Sequence, residues 1–204
     1  MKKIFTVVLA ASMMLFATNA FAQMSVGAGY VNSQQKYKAG GISATTALNG
    51  FYVGGAYNIN IAGGFGIAPG LYYEFLTRSD KSFLGTTGDT KEHYITLPVM
   101  FNYGISIAPS VALRLYTGPS FAYGLSSKTV DHITSVDYTT DNYDSSGYER
   151  FDVLYGGGIA LDINDRFRIN AGYDFGLIDR DGNADDKDSS VHRNQLHVGV
   201  AYLF

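Results

Sequence analysis

Large apolar residues alternate strictly with small or polar ones along the last ten positions of the chain, from Gln195 to Phe204. The large set is Leu196, Val198, Val200, Tyr202 and Phe204, and the set between them is Gln195, His197, Gly199 and Ala201. A period of two places the two sets on opposite faces of a β-strand. Glycine and alanine on one face suit a crowded barrel interior, and large residues on the other suit lipid. The stretch therefore predicts a strand of a membrane barrel.

The same two-residue period recurs along the chain and predicts eight strands, which is the smallest common number in outer-membrane barrels. Two uncharged stretches, 48–73 and 94–113, are interpreted as hairpins because glycine and proline interrupt them and their period is not helical. The predicted fold is all-β, an eight-stranded antiparallel up-and-down transmembrane β-barrel. The strands are expected near Met24–Val31, Asn49–Ile61, Phe65–Thr77, His93–Ile105, Val111–Leu125, Tyr148–Ile163, Phe167–Leu177 and Asn194–Phe204.

The connections between these strands alternate in length. The tight ones are at 62–64, 106–110 and 164–166, and the long polar ones are at 33–48, 78–92, 126–147 and 178–193. Outer-membrane barrels have short periplasmic turns and long extracellular loops, so both ends of the mature chain are expected on the periplasmic side. A soluble β-sandwich is the alternative fold, since its strands also alternate.

The first 22 residues have the features of a secretory signal peptide. Two lysines precede an apolar core from Ile4 to Phe16, and a small-residue cleavage site ends at Ala22. A membrane-anchoring helix is the alternative, but this apolar core is too short to span a bilayer. We expect a signal peptide at 1–22 and an outer-membrane barrel domain at 23–204.

Composition narrows the class of function. The 15 Lys and Arg residues are outnumbered by 18 Asp and Glu, and the predicted leader removes two of the lysines, so the mature chain is acidic. An acidic chain is not expected to bind nucleic acid. The sequence has no cysteine, so disulfides and thiolate metal sites are excluded. Stability is expected to come from the hydrogen-bonded, closed barrel in lipid.

The last strand resembles the C-terminal sorting signal of bacterial outer-membrane barrels, a pattern formed here by His197, Gly199, Tyr202 and the final residue, Phe204. Together with the alternation and the loop lengths, this makes the mature chain similar to the small eight-stranded outer-membrane proteins of the OmpA and OmpX type. The resemblance implies insertion by the barrel-assembly machinery and a monomer in contact with outer-membrane lipid and lipopolysaccharide. No cofactor is expected.

Charged residues at the inward positions of the predicted strands form the candidate functional site. They are Glu74, Arg114, Asp152, Asp162, Arg168, Asp174 and His197. Buried charges need partners, which a narrow barrel provides across its interior. If 164–166 is a three-residue turn, Asp162 lies directly opposite Arg168. The network is interpreted as a polar plug that holds the barrel shut, or alternatively as a gate whose ion pairs exchange to open a water path.

Two loops contain residue types used in other chemistry. His132 lies near Ser135 and Asp137 in the longest loop, as in outer-membrane lipid-modifying enzymes, but without a compact nucleophile–base spacing. The segment Asp179–Asp188 begins like a calcium loop, yet Ala184 stands where the turn glycine is required and no glutamate closes the site. Neither a catalytic residue nor a metal site is therefore predicted.

The sequence predicts an integral outer-membrane protein with a structural or surface-interacting role. In this prediction the long extracellular loops meet a ligand, and the lumen is largely plugged. Three tyrosines of the third loop, Tyr138, Tyr143 and Tyr148, form one candidate contact surface. The alternatives are a small low-conductance porin gated by lumen ion pairs and, third, a lipid-modifying enzyme.

Overall fold

The fold is known from a computed structural model, which describes residues 22–39, 42–81, 87–133, 136–145, 148–181 and 190–204. Most of these residues lie in nine β-strands, and a single helical turn follows the sixth. The elements are β1 (Ala22–Ala39), β2 (Ile42–Ala62), β3 (Phe65–Lys81), β4 (Thr87–Ala108), β5 (Val111–Ile133), β6 (Val136–Asp141), α1 (Asn142–Ser145), β7 (Phe151–Ile163), β8 (Phe167–Gly176) and β9 (Ser190–Leu203). The described part of the chain has no helix with the length and apolar character needed to cross a bilayer.

Eight of the strands close into a ring of antiparallel neighbours. The order around the ring is β1, β2, β3, β4, β5, β7, β8 and β9. The ring closes where β9 pairs with β1, from Ser25↔Leu203 to Lys38↔Ser190. β6 lies outside the ring and pairs with the upper end of β5, from Lys128↔Asp141 to Ile133↔Val136. The predicted eight-stranded, antiparallel, up-and-down barrel is confirmed.

Tight turns join the strands at one end of the barrel. Gly63 and Gly64 have φ values of 58° and 88°, and Asn164 and Asp165 have values of 54° and 53°. Two successive residues with positive φ form the hairpin turn whose twist matches that of the flanking strands, and glycine, asparagine and aspartate tolerate this conformation best. These turns, and a third between β4 and β5, lie where the sequence predicts them. We call this the periplasmic end.

The outer face of the ring carries an apolar belt, and the inner face is polar. Leu71, Ile159 and Val200 point outward and are 54%, 54% and 60% exposed to the surroundings of the chain. In a membrane, such side chains contact lipid, and the ring satisfies the backbone hydrogen bonds that lipid cannot. The inward side chains are largely buried, including carboxylates such as Glu74 and Asp174.

On the extracellular side, the strands extend further than the sequence predicts. β1 continues to Ala39 instead of ending at Val31, β2 begins at Ile42 instead of Asn49, and β5 continues to Ile133 instead of Leu125. Much of the predicted loops is therefore paired sheet. Above the belt no face contacts lipid, so the apolar alternation stops there although the hydrogen-bonded ladder continues. We call the upper parts of β3, β4 and β5, together with β6, the extracellular sheet.

Other boundaries also differ from the predicted ones, including those of β7 and β9. β7 begins at Phe151 instead of Tyr148, and Tyr148 makes an isolated bridge to Asp181. β9 begins at Ser190 instead of Asn194, which places Arg193 in the barrel wall and not in a loop. The predicted leader, except for Ala22, lies outside the described residues, as do Ser135 and most of the segment Asp179–Asp188.

Candidate functional site in the barrel interior

The periplasmic end of the lumen contains a network that we call the floor cluster. Asp162 accepts hydrogen bonds from Arg168, at 2.5 Å from Nε and 2.8 Å from Nη2, and from Nε and Nη2 of Arg114 at 3.0 Å each. Arg168 is the register partner of Asp162 across the β7–β8 turn. Arg114 also donates to Asn102, which donates in turn to Asn58 on β2. Two guanidinium groups share one carboxylate, so the floor cluster carries excess positive charge.

The upper lumen contains a second network, the roof layer, centred on Arg193. Its Nε donates to Oδ2 of Asp152 at 2.9 Å, and both side chains are 0% exposed. Nη1 lies 3.6 Å from Oε2 of Glu74, and the guanidinium lies 4.2 Å from the ring centroid of Tyr94. Arg180, in the segment after β8, donates from Nη2 to the Tyr94 hydroxyl at 3.1 Å. These contacts join four strands and one loop segment across the interior.

The roof layer is covered by further buried polar groups. Glu92 accepts hydrogen bonds from Gln35, Tyr94 and Ser127. Tyr143, on the helical turn α1, reaches over Gly124 so closely that a Cβ there would lie 1.7 Å from its hydroxyl oxygen. These covering groups come from β1, β4 and β5 and from the helical turn α1. Buried polar side chains therefore occupy the extracellular end of the lumen.

A cavity of about 150 Å³ lies between the floor cluster and the roof layer, and we call it the central cavity. Its walls include Tyr52, Tyr72, Tyr116 and His197. The Tyr116 hydroxyl and Nε2 of His197 lie 3.1 Å apart. Small residues make room for these rings: a Cβ on Gly199 would lie 2.0 Å from the Tyr52 hydroxyl oxygen.

The seven lumen residues singled out from the sequence all lie inside the barrel, in two separate groups. Asp162, Arg114 and Arg168 form the floor cluster. Asp152 and Glu74 lie in the roof layer, and Asp174 faces His197 at 3.7 Å between Oδ2 and Nδ1. The interior thus contains polar groups at a lower and an upper level.

Sequence reasoning missed the cations of the roof layer, Arg193 and Arg180, and the carboxylate Glu92. Arg193 had a usable signal, because it is separated from Gln195 and His197 by steps of two and so shares their inward face. Arg180 had no such signal, since it lies outside a regular strand.

Outside the membrane belt, His132 connects two strands of the extracellular sheet. Its Nδ1 lies 2.6 Å from Oδ1 of Asp137 on β6, and its Nε2 lies 3.5 Å from Oδ2 of Asp89 on β4. The hydrogen bond with Asp137 raises the pKa of His132. Ser79 donates to Asp89, and this hydrogen bond lowers the pKa of the Asp89 carboxyl group. In this chain of contacts a carboxylate separates the serine from the histidine, which is not the arrangement of a nucleophile and its base.

The acidic last loop begins with a backbone turn. Oδ1 of Asp179 accepts hydrogen bonds from the backbone N–H groups of Asp181 and Val191, at 3.0 and 2.8 Å. Within the residues that the structure describes, no group of three or more His, Asp or Glu side chains is arranged to hold a metal ion. Asn183 and Ala184 lie outside those residues.

The predicted assembly pattern divides between the two faces of β9. His197 and Gly199 face the lumen, whereas Tyr202 and Phe204 point outward, 39% and 68% exposed. The Tyr202 ring contacts Phe204 on one side, at 4.9 Å between centroids, and Phe167 on the other, at 5.6 Å. The outward pair therefore extends an aromatic cluster at the periplasmic edge of the belt.

Comparisons with known proteins agree with this architecture. Residues 16–182 match the family model of the outer membrane protein beta-barrel domain. No curated protein sequence matches the chain. Among solved structures, Ail, the attachment invasion locus protein of Yersinia pestis, crystallised in complex with the heparin analogue sucrose octasulfate, is 19% identical over 91% of this chain and 100% of that chain, with a TM-score of 0.52.

Two further solved structures are similar to the chain. Neisserial surface protein A is 16% identical over 89% of this chain and 97% of that chain, with a TM-score of 0.47. OprG from Pseudomonas aeruginosa is 12% identical over 90% and 96%, with a TM-score of 0.46.

The family model covers most of the sequence, and the ring of eight strands with its apolar belt is the structure that this family requires. The chain belongs to the outer membrane protein beta-barrel domain family and is an integral protein of the outer membrane.

Proposed function

We propose that this protein has a structural and surface-interacting role, in which the extracellular sheet contacts partners and the lumen networks hold the barrel closed. The observation that carries the proposal is the roof layer, where the Arg193–Asp152 ion pair is fully buried. A conducting pore needs a continuous water path through its constrictions. Because the roof layer interrupts that path, the accessible chemistry lies above the membrane.

The extracellular sheet has the properties of a contact surface. Its strands stay in register above the belt, for example at Ser79↔Asp89 and Val130↔Thr139. His132 bridges two of the strands, and the Tyr138 ring is 58% exposed. A paired sheet holds its side chains at fixed spacing, so binding costs less ordering of the chain than it would in a flexible loop. This supports a role in which the sheet presents residues to a partner outside the cell.

Two exposed lysines on the outer face of the barrel favour lipopolysaccharide as a membrane partner. Lys91 and Lys128 are register partners on β4 and β5, are both exposed, and lie just above the apolar belt that ends near Leu125. Like charges directly opposite each other on a sheet are destabilising. A phosphate group between them would relieve this repulsion, and the outer leaflet places phosphate at this height.

The lipopolysaccharide contact is tested by titrating lipopolysaccharide into the purified protein in detergent. A Lys91→Gln, Lys128→Gln double variant is expected to bind more weakly by about 1 kcal/mol per lysine, roughly fivefold each. Lys38→Gln, an exposed lysine near the top of β1, is the matched control and should bind as the wild type does. Equal binding by the double variant and the wild type would contradict the contact.

The closed lumen is tested by single-channel recording of the refolded protein in a planar bilayer. The wild type and an Arg114→Ala variant are both expected to be silent, because the roof layer remains intact in each. An Arg193→Ala variant, which removes the central side chain of the roof layer, is the positive control for detecting conductance. Discrete openings in the wild type that change when Arg114 is removed would overturn the closed-barrel proposal.

A gated low-conductance porin is the second candidate, and one feature of the ion pairs favours it. Arg193 lies within 4 Å of two carboxylates, and Asp162 lies within 4 Å of two guanidinium groups. A cation with two acceptors can exchange between them without leaving the interior. Such an exchange in the roof layer would connect the central cavity to the extracellular side, and the same recordings would detect it.

A further inference from the structure

The upper lumen holds more carboxylates than guanidinium groups. Within the described residues, the buried carboxylates at this level are Glu74, Glu92, Asp152 and Asp174, and the buried guanidinium groups are those of Arg180 and Arg193. Arg193 serves two of the four carboxylates, at 2.9 Å from Asp152 and 3.6 Å from Glu74. Burying negative charge without a counter-ion is unfavourable, because the carboxylate loses its hydration. The upper lumen therefore contains fewer buried positive groups than buried carboxylates.

Among these carboxylates, Asp174 accepts the fewest hydrogen bonds from the described residues. Its Oδ1 is buried and accepts no hydrogen bond from any described residue. Its Oδ2 lies 3.7 Å from Nδ1 of His197, a side chain that is charged only when protonated. Glu74, in contrast, accepts hydrogen bonds from Thr96 at 2.8 Å and Gln195 at 2.6 Å. Gln195 is the register partner of Asp174, so the two carboxylates lie at one level of the barrel.

Both carboxylates line the central cavity, whose lining is mostly apolar and also includes Arg114 and Arg168 of the floor cluster. Tyr52, Tyr72 and Tyr116 surround it, and Pro98 and Met100 complete the wall of β4. Aromatic faces attract cations, most strongly when the cation is poorly hydrated. A cavity of about 150 Å³ has room for a molecule as large as benzene. A carboxylate pair beside such walls suits an organic cation better than a hydrated metal ion.

We propose that the central cavity binds a small organic ammonium ion. The ammonium group lies between Glu74 and Asp174, and its apolar part packs against the three tyrosine rings. Arg114 and Arg168 of the floor cluster are held by Asp162 at the other end of the cavity. This site is independent of the surface role proposed above, because it lies below the roof layer.

The test is a titration of the full mature chain in lipid nanodiscs, followed by the amide NMR signals of Gly156, which adjoins Asp174, and Gly172, which adjoins His197. Ethylammonium chloride is the probe, ethanol is the neutral analogue, and sodium and potassium chloride are the inorganic cations. Ethylammonium is expected to cause saturable shifts that ethanol does not cause. Asp174→Asn and Glu74→Gln should each weaken the binding at least tenfold. Asp137→Asn, which removes an exposed carboxylate on β6, should leave the binding unchanged.

Four results would overturn the proposal. They are equal shifts with ethanol, equal saturation with sodium or potassium chloride, unchanged binding in folded Asp174→Asn, and an absence of saturable shifts in the wild type. Heat-modifiable gel mobility shows which variants are folded, and if neither lumen variant folds, the comparison of ethylammonium with ethanol on the wild type still decides.

Discussion

Nε of Arg193 donates a hydrogen bond to Oδ2 of Asp152 at 2.9 Å, and neither side chain has exposed surface. The pair joins β9 to β7, two strands that are not neighbours in the ring. An ion pair that passes over the intervening strand β8 links two strands directly, which hydrogen bonds between adjacent strands cannot do. We therefore expect it to contribute to the stability of the upper barrel.

Removing one partner of this pair should be strongly destabilising. Asp152→Asn or Arg193→Met leaves an uncompensated buried charge, which typically costs about 3–5 kcal/mol of unfolding free energy. The double variant should lose less than the sum of the two single variants, because the charge left unpaired in each is then also removed. Urea unfolding of the refolded protein in lipid vesicles measures all three. Additive single effects would show that the two residues act independently.

A charge on the lipid-facing side of the belt should be costly. Leu71→Arg on β3 is expected to lower the free energy of unfolding by about 2–4 kcal/mol, since the side chain lies near the middle of the bilayer. Ala47→Arg, which is exposed on β2 above the belt, is the matched control and should cost about 0–1 kcal/mol. Equal losses in the two variants, measured in the same vesicles, would contradict the assigned position of the belt.

The contacts of His132 should make the extracellular sheet pH-sensitive. Its pKa is raised in the folded chain, so the stabilisation is complete below the unfolded pKa and is lost as the pH rises through the folded pKa. The pKa of Asp89 is lowered, so its contribution is present above its unfolded pKa and is lost as the pH falls through its folded pKa. The hairpin of β5 and β6 should therefore be most protected at pH values above the unfolded-state pKa of Asp89 and below the unfolded-state pKa of His132.

Amide hydrogen exchange of β5 and β6, corrected for the intrinsic effect of pH, measures this protection. A His132→Gln variant should show no change in corrected protection across the range in which the histidine titrates. Protection that decreases with rising pH in the variant as much as in the wild type would contradict a role for His132.

Gly199 should be required for packing as well as for assembly. A Cβ at this position would lie 2.0 Å from the Tyr52 hydroxyl oxygen and 2.7 Å from the Ala28 carbonyl oxygen. Gly199→Ala is therefore expected to cost about 1–3 kcal/mol in the refolded protein. Combining it with Tyr52→Phe removes the nearest atom and should restore part of the loss. If Tyr52→Phe restores nothing, the constraint at Gly199 lies in the backbone contact with Ala28.

Phe204 should matter for assembly in cells more than for stability. Its ring is 68% exposed, so deleting it removes few contacts within the chain beyond those with Tyr202. We expect the deletion variant to be depleted from the outer membrane while refolding normally in detergent. Heat-modifiable gel mobility of both samples checks this. Normal amounts of folded barrel in cells would contradict an assembly role for Phe204.

The sequence predicts those strands that have one face toward lipid and the other toward the lumen. Leu196, Val198 and Val200 alternate with small or polar residues because lipid lies on one side and the lumen on the other, so the ring and its inward face are predictable. The register of Asp162 with Arg168 is predictable too, because the length of a tight turn fixes the pairing of its strands.

Only part of the roof layer could be predicted in the same way. Glu74 and Asp152 lie on predicted strands, whereas Arg193 and Glu92 lie in segments that the sequence assigns to loops. Arg180 and Tyr143 reach it from irregular segments, so their positions depend on tertiary contacts and not on a local period. Arg114 meets Asp162 across 48 positions of sequence, on strands whose register is set by every turn and bulge between them.

The pairing of β1 with β9 has a consequence for biogenesis. The contact that closes the ring, from Ser25↔Leu203 to Lys38↔Ser190, joins the two most distant strands of the chain. Until β9 has been synthesised and delivered, β1 and β8 each present an unpaired strand edge, and such edges invite aggregation. We therefore expect the ring to close only after β9 is available, and a truncated chain without β9 to keep two unpaired strand edges.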